Sequence, residues 1–282
     1  MRNLGKRLFG ISLLLFIIGV CGIIWLFTKQ ENFSFSLKQV NEEHMIEQEV
    51  KAIELLTETS DVEIMATKQP KASVRMVGEV SEQQQERLEF RSVVSPDGTL
   101  VVELRERPHV NMFYPRNGKI KLELFLPEKV YEHVQLETMT GDIKSGMLRA
   151  KNTKISSSNG DVDVLGYEGE ALNVQTVTGD INLANVRSAV TIESSTGEID
   201  KLTMPELTHD VSIRTDTGDI RVSVAKEPAA AQLEVTTDTG GIETTWSNLT
   251  YEKNEEYKVK ASIGSDGPKM TMRSSTGDVR IQ

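Results

Sequence analysis

The chain has 282 residues, a net charge of −10 and a single cysteine. That length allows one large or two small buried cores. One cysteine excludes a disulfide scaffold and zinc held by cysteines, and setting aside the basic residues Arg2, Lys6 and Arg7 takes the charge to −13, a balance that repels nucleic acid.

The first element is an uncharged run of twenty residues between Leu8 and Phe27. As a helix it would extend roughly 30 Å, the thickness of a bilayer's hydrocarbon core, and it predicts a transmembrane helix over 8–28. Arg2, Lys6 and Arg7 precede it, while Lys29 and Glu31 nearly cancel after it. The positive-inside bias therefore sets residues 1–7 in the cytoplasm and the rest outside, a single pass through the plasma membrane. A cleaved signal peptide is the competing reading, but the run exceeds a usual apolar region and no small-x-small site follows it. Lipid attachment at Cys21 is disfavoured by bulky Val20 before it and the continuing apolar run after it.

Residues 29–49 are polar and charged and read as a stalk, helical in part. Between 50 and 130 the pattern is irregular, with strands over 99–104 and 119–126, a helical excursion over 82–88, and a hairpin-turn signal at Asn117-Gly118 between Tyr114 and Ile120. This region predicts the first coils or a capping sheet for a stack of repeats over 131–282, because the open end of a stack exposes strand edges.

From 131 to 282 one motif returns in register: LETMTGDI at 136–143, ISSSNGDV at 155–162, VQTVTGDI at 174–181, IESSTGEI at 192–199, IRTDTGDI at 213–220, VTTDTGGI at 235–242 and MRSSTGDV at 272–279. A weaker copy, LLTETSDV at 55–62, has Ser60 in the glycine position. The glycines stand at 141, 160, 179, 197, 218 and 240, about 20 residues apart, and the longer gap to Gly277 fits two turns. Apolar and polar residues alternate within each copy, the strand signature. A glycine at one phase asks for positive φ at a tight corner, and the neighbouring acid can bond its own turn backbone.

A single unit cannot bury its strand faces, whereas stacked units can. The fold class expected is therefore all-β: a parallel β-solenoid, single-stranded and β-helix-like, built from ~20-residue T-G-D-I repeats. Its inner column would be Leu136, Ile155, Val174, Ile192, Ile213, Val235 and Met272, about 4.8 Å apart where coils adjoin. Thr138, Ser157, Thr176, Ser194, Thr215, Thr237 and Ser274 would form a hydroxyl column beside it. An antiparallel sandwich of hairpins is the runner-up. The sequence stops three residues after Val279, which leaves the last repeat with no cap of its own.

Residues that carry chemistry are sparse. His44, His109, His133 and His209 show no metal-ligand spacing, and no nucleophile elbow, phosphate loop or zinc-protease helix occurs. The structural corner residues are Gly141, Asp142, Gly160, Asp161, Gly179, Asp180, Gly197, Glu198, Gly218, Asp219, Gly240, Gly277 and Asp278. Stacking aligns their acids, and such a row could hold calcium or act on a polysaccharide through Asp161, Asp180 and Glu198. Solvated turn residues, repeated because the turn is repeated, are the favoured reading, and Gly241 breaks the row. No cofactor is expected. The variable column Met139, Ser158, Val177, Ser195, Asp216, Asp238 and Ser275 shares no chemistry. Trp246, Tyr251 and Tyr257 fit either a sugar platform or a partly buried cap.

Tandem T-G-D-I units behind one N-terminal span resemble the putative-adhesin family of unknown function, and within it the LiaG-type membrane proteins of Gram-positive envelope-stress operons. The similarity runs from Arg2 through Gln282. It implies a β-solenoid facing the wall and a link to stress signalling, with no catalytic residues. Expected partners are the membrane, through the N-terminal helix, and an envelope component or neighbouring membrane protein. Ser60 and Gly241 depart from the repeat and weaken any continuous acidic site.

Overall fold

The computed structural model describes residues 2–29, 37–107 and 118–282, and within them not the side chains of residues 2–9, 23, 26–29 and 83. His109, Tyr114 and the turn signal at Asn117 lie outside the described residues. Two compact units result, Met1–Leu37 and Lys38–Gln282. The first holds helix α1 (Arg2–Lys29). Its longest stretch with described side chains is 10–22, and among the described residues no helix is long and apolar enough to cross a membrane.

The second unit opens with β1 (Leu37–Met45), β2 (Ala52–Thr59), β3 (Asp61–Thr67) and β4 (Ser73–Ser81). The one-turn helix α2 (Glu82–Gln85) follows, capped by the Ser81 hydroxyl, which accepts from the Gln84 amide. Then come β5 (Leu88–Val94), β6 (Thr99–Glu106), β7 (Lys119–Pro127) and β8 (Tyr131–Thr140). A helical stalk reaching residue 49 is not what forms. Residues 37–45 are a strand that pairs with β4, and Val40, Ile46 and Val50 are buried in the core.

The regular part comprises β9 (Ile143–Asn159), β10 (Val162–Thr178), β11 (Ile181–Leu183), β12 (Val186–Thr196), β13 (Ile199–Met204), β14 (Val211–Thr217) and β15 (Ile220–Val224). It ends with β16 (Ala231–Thr239), β17 (Ile242–Thr244), β18 (Thr250–Glu255), β19 (Lys258–Ile263), β20 (Lys269–Thr276) and β21 (Val279–Ile281). In β9 the inward residues are Ile143 and Ser145, then Leu148 and Ala150, then Thr153, Ile155 and Ser157. The alternation slips by one residue twice, so the strand bends around the core without breaking its pairing.

Pairing between coils is parallel and in register. Leu55, Leu136, Ile155, Val174, Ile192 and Ile213 follow one another across adjacent strands, and Met272 and then Val235 continue the row. All of these are buried, each stabilising by about 1.5–3 kcal/mol relative to exposure. The antiparallel sandwich is therefore not the architecture. Antiparallel pairs occur toward the ends of the stack, β4–β7 and β5–β6 at one end and β16–β19 and β18–β19 at the other.

Two expectations need correcting at the far end. The longer gap before Gly277 holds the β18–β19 hairpin in place of a second regular turn, because 250–263 lacks the glycine corner and pairs back on itself. The final repeat is also not an uncapped end. β20 and β21 slide between β14–β15 on one side and β16–β17 on the other, so the last segment of the chain is an interior coil. One wall of the stack thus runs β5, β6, β2, β8, β9, β10, β12, β14, β20, β16, β19, β18.

The corners explain the glycines. Gly160 has φ +153°, and a Cβ there would overlap the carbonyl oxygen of Gly141 one coil below. Gly160→Ala should cost about 2–4 kcal/mol in urea unfolding, whereas Ser60→Gly, at a corner that does not take positive φ, should change stability by under about 1 kcal/mol. A second expectation concerns Tyr131, whose buried phenol donates to the Pro127 carbonyl at 2.9 Å. Burial pushes its pKa from 10.0 up to about 12. The folded state holds the proton more tightly, so stability is full below pH 10 and falls as pH climbs toward 12. Alkaline unfolding of Tyr131→Phe should show a shallower loss over that window than the wild type.

Candidate functional site

The aspartates beside the corner glycines share one contact. The Asp161 amide donates to Asp142 Oδ1 at 3.0 Å, Asp180 to Asp161 Oδ1 at 2.8 Å, and Glu198 to Asp180 Oδ1 at 2.8 Å. The series begins with the Asp142 amide on Asp61 Oδ1 and resumes with Asp278 on Asp219 Oδ1 and Gly241 on Asp278 Oδ1. The acid does not bond its own turn, as the sequence suggested, but the backbone of the next coil. An amide left without a carbonyl partner at each corner is thereby satisfied.

Glu198 misses its rung. One methylene longer than aspartate, it turns its carboxylate to Arg221 at 2.9 Å. Arg221 also meets Asp219 at 3.0 Å and lies against Asp200, and these acids raise its pKa, the Glu198 hydrogen bond most. Its register neighbour Arg280 reaches Asp278 at 2.8 Å and Glu243 at 3.7 Å. This bracket of two arginines and five carboxylates was missed in the sequence. Its signal was arginine at the same repeat phase, directly after Ile220 and Val279.

Carboxylates that each face along the stack do not converge on a point. No group of three or more metal-binding side chains occurs among the described residues. Inside the corner, the Ser157, Thr237 and Ser274 hydroxyls donate to the carbonyls of Gly141, Gly277 and Gly218. Thr176 donates within the column to Ser194 at 3.2 Å, while the buried Thr138 and Thr215 hydroxyls have no hydrogen-bond partner, so the column holds the corner only in part.

The remaining candidates lie apart. In the variable column Met139 and Val177 are exposed, and Ser158, Val177, Ser195 and Asp216 line a shallow depression of about 410 Å³ along the wall. Trp246 is buried while Tyr251 and Tyr257 are exposed, so the three do not form one platform. His44 stacks on Phe90 with centroids 4.5 Å apart and bonds Ser92 at 2.6 Å. His209 bonds its neighbour Thr208 at 2.9 Å, and His133 is exposed on β8.

Residues 50–282 match the family model described as Toastrack DUF4097. No curated protein matches the chain. Among solved structures, a putative adhesin from Bacteroides fragilis is similar over 87% of this chain and 97% of its own, at 14% identity and a TM-score of 0.49. A putative cell adhesion protein from Clostridium sporogenes is similar over 86% of this chain and 99% of its own, at 15% identity and a TM-score of 0.39. A putative lipid binding protein from Parabacteroides distasonis is similar over 86% and 97%, at 12% identity and a TM-score of 0.30.

The ladder separates a structural carboxylate from a chemical one. Asparagine keeps the oxygen that accepts from the next coil, so Asp161→Asn should unfold within about 0.5 kcal/mol of the wild type, and Asp161→Ala should lose about 1 kcal/mol. Millimolar calcium should leave the melting temperature of all three unchanged. A rise of several degrees for the wild type alone would show a metal bound to the folded row.

Proposed function

The chain belongs to the Toastrack DUF4097 family, and from that premise we propose that it is a membrane-anchored, non-enzymatic module standing outside the cytoplasm, where a rigid β rod contacts envelope components or a neighbouring membrane protein. The observation that carries this reading is the use of the repeat's acids. Each ladder aspartate is committed to the backbone of the adjoining coil, an arrangement that stiffens a rod and assembles no acid–base pair.

Three further observations support it. The wall is twelve strands deep, which at about 4.8 Å per strand makes a rod of roughly 50 Å. The chain joins that rod at β1, at one end, and the exposed β18–β19 hairpin closes the other. The uncharged run between Leu8 and Phe27 suits a bilayer span, and Arg2, Lys6 and Arg7 suit an N-terminus held inside. Within the family, a LiaG-type role as an accessory of the envelope-stress response fits a rod carried on one span.

One strain series tests both parts. Protease added to intact cells should digest the β unit and spare a short N-terminal fragment; a protected β unit would overturn the orientation. Deleting the gene should change reporter output under wall-active antibiotics, and both the wild type and Asp161→Asn should restore it. Restoration by the wild type alone would favour an acid-dependent enzyme, and an unchanged response on deletion would remove the stress role.

A further inference from the structure

The last three coils do not stack in chain order, because β20 and β21 lie between the coil of β14 and β15 and the coil of β16 and β17. Chain order is open to this sequence. Each of the three coils brings a corner glycine, Gly218, Gly240 or Gly277, and a buried residue to the inner column, Ile213, Val235 or Met272. β19 is joined to β20 through 264–268, a link short enough for β19 to turn back on β20 as a hairpin. We propose that Gly241 and Thr244 mark the coil of β16 and β17 as the end of the stack, and so set the order in which the last coils lie.

Two columns single that coil out. In the corner ladder Asp219 accepts from the Asp278 amide at 2.9 Å, and Asp278 accepts from the Gly241 amide at 2.8 Å. Gly241 has no side chain with which to accept in turn. Chain order would lay the Asp278 amide over it and lose one rung, a bias of about fivefold. No steric need keeps an acid out, since Gly241 does not take positive φ and a Cβ there would meet only Asp278 Oδ1 at 3.7 Å.

After the corner a second column runs through Val164, Leu183, Leu202, Val222 and Ile281, all buried. It ends on Thr244, which is only partly buried. The Thr244 hydroxyl accepts from the Trp246 amide at 3.3 Å, where the chain leaves the coil. Chain order would carry that hydroxyl between Val222 and Ile281, a bias of about tenfold against it.

Charge pulls the other way. Arg273 lies beside Arg214 and Arg280 beside Arg221, and chain order would set Thr236 and Glu243 between them. Like charges on an exposed face cost a few-fold at most, and Asp219 and Asp278 already hold Arg221 and Arg280. The two columns therefore prevail. The connections add one clasp, the Glu227 carboxylate accepting from the Ser247 and Asn248 amides at 2.8 and 3.2 Å. It lies in water, where such a contact contributes little.

Disulfide trapping of the full chain, refolded in detergent in a Cys21→Ser background, reads the order. Thr217, Thr276 and Thr239 are exposed and follow one another across β14, β20 and β16. Adjacent strands lie about 4.8 Å apart and alternate ones about twice that, beyond the reach of a disulfide. Thr217→Cys should thus crosslink with Thr276→Cys and not with Thr239→Cys. Adding Gly241→Asp and Thr244→Val should reverse this result, and crosslinking that stays with position 276 would overturn the proposal. Glu227→Ala alone should leave the order as it is; a reversal there would show that the connections decide, and would overturn it equally. If the double variant does not refold, Thr244→Val alone should raise the crosslink between 217 and 239 by about fivefold or more over the wild type, and no rise would count against the marking.

Discussion

The stack rests on one steric fact: at every interior corner the backbone of one coil lies so close over the corner below that no side chain fits between. Gly160 sits on the carbonyl of Gly141, Gly179 on that of Gly160, and so on to Gly240 on Gly277. The same closeness lets each aspartate oxygen reach up to the amide of the next corner. Glycine therefore answers to the coil beneath and aspartate to the coil above. That asymmetry accounts for both breaks in the motif. Ser60 stands at the first glycine-phase corner among the described residues, does not take positive φ, and still provides Asp61 as an acceptor. Gly240 needs its glycine, but Gly241 has no further corner to serve, and it only donates to Asp278.

Rows built this way would grow indefinitely, and the two ends stop them differently. At the far end β19 reverses direction against β16, and β18 beyond it carries Glu252, Lys253 and Glu255 with every residue in water. Charge on an exposed edge discourages further pairing. At the entry end β1, β4 and the segment that buries Ile46 and Val50 close over the core. There His44 of β1 stacks on Phe90 and bonds Ser92 of β5, the last strand of the other wall.

The parallel stack and its inner column were legible because each follows from local spacing: period two for the strands, a fixed phase for the corners; the helical excursion over 82–88 forms as the single turn Glu82–Gln85. What stayed hidden depends on contacts far apart in sequence. Nothing local distinguishes the MRSSTGDV copy from its siblings, yet it enters between coils made from 211–224 and 231–244, and the order of coils in space departs from the order in the chain. The role of the acids was half legible. Their position at a turn was plain, but the partner is a backbone amide 19 residues away, as Asp142 is to Asp161, and only stacking brings it near. The polar segment over 37–45 read as stalk because a strand at the edge of a sheet shows just Val40 as a buried residue.

A repeat of this kind turns its most noticeable residues into scaffold, since whatever recurs in each coil is what each coil needs to stack. Specific chemistry must then be sought where the period fails. Glu198, one carbon too long for its rung, is released to Arg221 and begins an ionic bracket that the regular coils lack. Glu89 and Arg91 lie outside the repeat on the exposed face of β5, whose sheet partner among the described residues is β6. In a fold whose interior contacts are all dictated by stacking, such residues are the ones free to be read by something other than the next coil.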